Sequence, residues 1–86
     1  MTHFPTPTTI EEAADHVLAQ MNEANQAELR AMARDELWRC HFGLAMGIRS
    51  SLKLWEPGNP IVANSGIFHP DDCSMAIVTR IWEKLQ

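Results

Sequence analysis

Residues 34–55 read RDELWRCHFGLAMGIRSSLKLW, and the fold depends on what this stretch becomes. Leu37, His41, Leu44, Ala45, Ile48 and Leu52 recur at helical spacing on one face, and Trp38, Phe42, Ala45 and Arg49 share a neighbouring one. The spacing predicts one long helix whose wide apolar arc is covered on both sides, which makes it the centre of a bundle. Gly43 and Gly47 lie inside it. Each costs up to ~1 kcal/mol relative to alanine in a helix, so the expectation is that another backbone approaches closely there. The same glycine spacing marks membrane helix pairs, but Arg34, Arg39, Arg49 and Lys53 argue against a membrane span.

Outward from this stretch, the chain reads as helices and turns. Residues 1–8 (MTHFPTPT) predict a flexible N-terminal arm, and residues 9–86 a single helical domain. Thr9 with Glu12 three residues on is a capping-box pattern, and Ile10, Ala13, Ala14, Val17, Leu18 and Met21 follow at helical spacing over about residues 10–22. Asn25 with Glu28 suggests the start of a short second helix. WEPGNP (55–60) stops the long helix, and a loop follows with Ile61, Val62, Ile67 and Phe68 as anchors. HPDD (69–72) opens the last helix: proline suits its first position, and two aspartates suit the positive end of its dipole. Cys73, Ala76, Ile77, Ile81, Trp82 and Leu85 then line its inner face. The fold class is all-α, a small bundle of three main helices plus one short one, with a long loop before the last.

The chain has 86 residues, 45% hydrophobic and 21% charged, which suits one folded domain with a small core; a homodimer would enlarge it. The formal charge of -4 argues against nucleic acid as a partner. The acids come first (Glu11, Glu12, Asp15, Glu23, Glu28) and the bases crowd the middle, an asymmetry that either pairs helices internally or steers a charged partner. The two cysteines, Cys40 and Cys73, and an N-terminus with no basic start or apolar run make the cytoplasm the expected compartment, with reduced thiols.

HFGLAMGIR (41–49), LKLW (52–55), Asn59 and HPDDCS (69–74), followed by an apolar helix with Trp82, resemble a family of small uncharacterised bacterial domains, a domain of unknown function. The resemblance spans about residues 9–86. It implies a compact helical domain of bacterial or phage origin and no activity, so it carries over no catalytic residue. Its pattern usually has alanine where this chain has Cys73, so it implies no metal-binding thiol there.

His41, His69, Asp71, Asp72, Cys40 and Cys73 are zinc-ligand types, but there is no CxxC or HxxxH spacing, and no metal or cofactor is expected. Asp71 and Asp72 would serve as acid and base only if burial separated their pKa values, whereas a helix start keeps carboxylates ionised. There is no serine-nucleophile motif or phosphate loop. The functional expectation is a non-enzymatic protein-binding module, of the type of a bacterial or phage inhibitor acting in immunity or counter-defence. The candidate partner-binding residues are Arg49, Trp55, Asn59, His69, Asp71 and Asp72, because tryptophan and arginine make the strongest interface anchors. The alternative surface is the acidic face of Glu11, Glu12 and Asp15. The competing reading is a small metal-dependent or acid/base enzyme built on His41, His69, Asp71 and Asp72.

Overall fold

The structure is a computed structural model that describes residues 6–40 and 43–86. Its elements are α1 (Ile10–Gln20), α2 (Glu23–Ala31), a 3₁₀ segment (Arg34–Cys40), α3 (Leu44–Ser51), α4 (Pro60–Ser65) and α5 (Pro70–Leu85). Among the described residues there is no strand, so the all-α expectation holds. No helix among them is long and apolar enough to cross a membrane.

The centre is α5, not residues 34–55. All four other helices and the 3₁₀ segment pack against it. Being covered from several directions, α5 buries Cys73, Ser74, Ile77, Val78 and Ile81 completely. Ser74 and Val78 lie outside the stripe read from the sequence, because a hub needs a wider buried arc than a helix that docks on one side. The Ser74 hydroxyl donates to the Asp71 carbonyl one turn back (2.8 Å), which makes its burial tolerable. On α1, Ala13 and Ala14 are fully buried and, being small, let the α1 backbone approach α5.

The predicted long helix is broken. Residues 34–40 wind as a 3₁₀ helix and α3 begins afresh at Leu44, with Gly43 at its N-cap in a non-helical conformation (φ -109°, ψ -97°). In a three-residue repeat Leu37 and Cys40 share one face, so Leu37 is buried and Cys40 half-buried while Trp38 is 70% exposed. Ala45 and Ile48 are buried as expected. His41 and Phe42 lie outside the described residues.

The other differences have local causes. α2 starts at Asn22 and not at Asn25, because the Asn22 side chain accepts from the Asn25 amide (2.8 Å). The predicted loop before α5 contains α4, started by Asn59 and Pro60 and ended by Gly66 in the left-handed conformation (φ 72°). Ile61 anchors α4 in the core, whereas Phe68 is 77% exposed and anchors nothing. Trp82 joins α2 to α5: its indole N–H donates to the Met32 carbonyl (2.8 Å), and the Arg34 guanidinium lies 5.3 Å above its ring. Thr9 caps α1 by accepting from the Glu12 amide (3.0 Å), but the Glu12 carboxylate reaches Thr8 instead of closing the box on Thr9. Pro7 is buried and the Thr8 carbonyl accepts from the Asn64 side chain (2.6 Å), which fastens this part of the N-terminal segment to α4.

Gly47 is exposed, and a methyl group built on it meets nothing within 4 Å. The close backbone approach expected there is absent. Gly47→Ala should therefore stabilise the fold by about 0.5–1 kcal/mol, the ordinary helical preference of alanine, read as a higher denaturant midpoint with unchanged slope.

Candidate binding surface

Arg49 lies in the last turn of α3 and Asp71 in the first turn of α5. The Arg49 side chain is 14% exposed, and its Nη1 pairs with Asp71 Oδ1. Each charge also suits its own helix end, a cation at the C-terminus of α3 and an anion at the N-terminus of α5. The pair thus fixes where α5 begins relative to where α3 ends. His69 is the N-cap of α5: its Nδ1 accepts from the Asp71 amide (3.2 Å), which requires the tautomer with hydrogen on Nε2. Asp72 follows, exposed, in the same first turn.

Asn59 is fully engaged. Its Oδ1 accepts from the Ile61 and Val62 amides (3.0 and 3.3 Å), and its Nδ2 donates to the Leu52 and Lys53 carbonyls (2.9 and 3.1 Å). Two donors and two acceptor sites exhaust a carboxamide, so Asn59 joins the end of α3 to the start of α4 and keeps no capacity for a partner. Lys53 holds the intervening turn in a left-handed conformation (φ 53°), and the Leu54 amide bonds back to the Arg49 carbonyl (3.1 Å). This turn sends Leu54 into the core and leaves Trp55 63% exposed. Phe68 stands exposed directly before the His69 cap, so the segments entering and leaving α4 each present an aromatic side chain. An exposed Trp55 is legible from its turn-rich setting, whereas Phe68, expected as an anchor, closes the tract of residues 65–68, which has no periodicity to say which face it shows.

The acidic side of α1 is occupied by α5. Glu11 accepts from Arg80 Nε (2.6 Å) and from the Lys84 ammonium, and Asp15 pairs with the same ammonium at 2.9 Å. Hydrogen bonds from Arg80 and then Lys84 pull the Glu11 carboxyl down from 4.5 to about 2. Hydrogen bonds from Thr8, backbone first, lower that of Glu12. Glu11 and Asp15 therefore pair with Arg80 and Lys84 near the end of the chain, while the mid-chain Arg34, Arg39 and Arg49 pair with Glu83, Glu36 and Asp71. Glu11 and Asp15 are thus tied to α5, with each side chain still more than half exposed.

Of the residues considered for metal or acid/base chemistry, His69 and Asp71 are held at the α5 N-terminus, Cys73 is buried in the core and His41 is outside the described residues. Burial raises the Cys73 thiol's pKa. Among the described residues no group of three His, Cys, Asp or Glu side chains is placed to hold a metal ion. The family model of DUF6794, a domain of unknown function, matches residues 6–85. The chain belongs to this family. No curated protein matches it, and no solved structure does.

Two measurements follow from this DUF6794 geometry. Asn59→Ala should cost about 1–2 kcal/mol in chemical denaturation, since it removes a helix cap and the α3–α4 tie together. A group whose folded pKa is depressed stabilises the fold above its unfolded pKa and loses that contribution as pH falls through the folded one. Glu11→Gln should accordingly lower the melting temperature at neutral pH. The gap from the parent should then close as pH falls from 4.5 to about 2. Screening of so exposed a carboxylate keeps the gap small.

Proposed function

We propose that this domain is a non-enzymatic protein-binding module that engages its partner through Trp55 and Phe68. The observation that carries the reading is the exposure of these two side chains, 63% and 77%, from the two segments that flank α4. Large apolar side chains left in water by a domain with so small a core are the usual anchors of an interface. The Arg49–Asp71 pair, the His69 cap and the Asn59 clamp hold the backbone on either side of them, so the aromatics are presented on rigid supports and little ordering is needed on binding.

The partner is another protein with a basic surface. Glu23, Glu28, Asp35, Glu56 and Asp72 have no ion-pair partner among the described residues, whereas Arg34, Arg39, Arg49, Arg80 and Lys84 are paired, so the surplus negative charge acts outward. A small acidic domain of this kind fits an inhibitor of bacterial or phage origin acting in the cytoplasm, in immunity against a toxin or in counter-defence.

The test is affinity capture from the source cell followed by binding kinetics on the captured protein. Trp55→Ala combined with Phe68→Ala should speed dissociation by roughly 30-fold or more, matching a loss of about 2 kcal/mol, with the melting temperature unchanged because neither side chain is in the core. Glu23→Lys with Glu28→Lys should slow association instead. A partner that leaves the aromatic variant as slowly as the parent would overturn the proposal.

A further inference from the structure

Three elements end at one place, and each ends on sulfur. Met21 is the C-cap of α1, Met32 is the C-cap of α2, and Cys40 is the last residue of the 3₁₀ segment. All three line one open groove of about 540 Å³, whose wall continues through Leu29 and Leu44 and carries the Glu28 carboxylate. Cys40 Sγ stands 3.9 Å from Met32 Sδ. Cys40 is only half-buried, unlike Cys73 in the core, so a solute can reach it.

We propose that this groove binds a soft monovalent cation of the copper(I) or silver(I) class through the Cys40 thiolate and the Met32 thioether, with Met21 as the third sulfur. Thiolate and thioether donors together select such ions over magnesium, calcium or zinc. Two sulfurs each roughly 2.3 Å from one ion, at trigonal or tetrahedral angles, stand about 3.8–4.0 Å apart, which is the separation present before any ion arrives. The charges around the sulfurs are mixed. Two helices direct their negative dipole ends at the groove and Glu28 adds a carboxylate, while the Arg39 guanidinium lines the same groove and opposes them in part. Burial, and then the nearby Glu28, raise the pKa of the Cys40 thiol against the lowering effect of Arg39. Binding forms a metal–sulfur bond and releases the thiol proton to solvent, with no change of oxidation state. The site lies on elements other than the Trp55 and Phe68 segments, and it shares Glu28 with the charges proposed to steer the protein partner.

Silver(I), which needs no reductant, is the first probe, with native mass spectrometry as the readout. One ion per chain is expected for the parent, and none for Cys40→Ser, which keeps Cys73 as an internal control for indiscriminate thiol binding. Copper(I) affinity is then measured without oxygen against a chromogenic chelator. Met32→Leu and, separately, Met21→Leu conserve volume and should fold like the parent by circular dichroism, yet bind at least tenfold more weakly. Absence of the complex overturns the proposal. So does an ion shared between the cysteines of two chains, or an affinity that neither methionine variant changes, because the thiol alone would then account for binding.

Discussion

The burial of α5 on most of its circumference is the constraint from which the rest of the structure follows. Cys73, Ile77, Val78 and Ile81 cannot be covered by one neighbour, and no other helix is long enough to supply a second core. Each remaining element therefore takes a place on the α5 surface: α1 through Ala13 and Ala14, α2 through Leu29 and the Trp82 bond, the 3₁₀ segment through Leu37, α3 through Ala45 and Ile48, and α4 through Ile61. Hydrophobic burial supplies the attraction, and a small number of directional bonds decide the arrangement. The Arg49–Asp71 pair and the Glu11 contacts with Arg80 and Lys84 act on opposite ends of α5, which fixes both its rotation and its position along its axis. Among the described residues no buried side-chain nitrogen or oxygen lacks a hydrogen-bond partner.

Much of this was legible in the sequence because it is local. The Thr9 cap, the proline and aspartates that open α5, and the apolar spacing of α1 are written in residues within one or two turns of each other, and such signals need no knowledge of the neighbours. Residues 34–55 read as one helix because periodicity is nearly the same for three and for 3.6 residues per turn over so short a stretch. Leu37 and Cys40 share a face in either winding, and Gly43 is the local sign of a break. Read as one helix, residues 34–55 become the hub and α5 a helix with one buried face, the inverse of the folded hierarchy.

The candidate surface divides along the same line. Trp55 stood out from its turn-rich setting, but the work of Asn59 depends on two carbonyls six and seven residues earlier, and only the folded turn brings them within reach. The asymmetry of early acids and mid-chain bases is visible in the sequence; the pairing of Glu11 with Arg80 and Lys84 instead is not, because Glu11 and Lys84 are separated by nearly the whole chain. The sulfur groove is a clearer case still, since Met21, Met32 and Cys40 occupy unrelated positions in the sequence and become neighbours only where three elements end.

The hub is also the last element in chain order among those it organises. α1, α2 and α3 each expose an apolar stripe whose complement is α5, and helices of eight to eleven residues are marginal alone in water. During synthesis they have no partner surface until residues 70–85 have been made, so the growing chain cannot consolidate its core stepwise from the N-terminus. Assembly is a single late event that joins distant parts of the chain, and the interval before it leaves the apolar stripes open to chaperones or to one another.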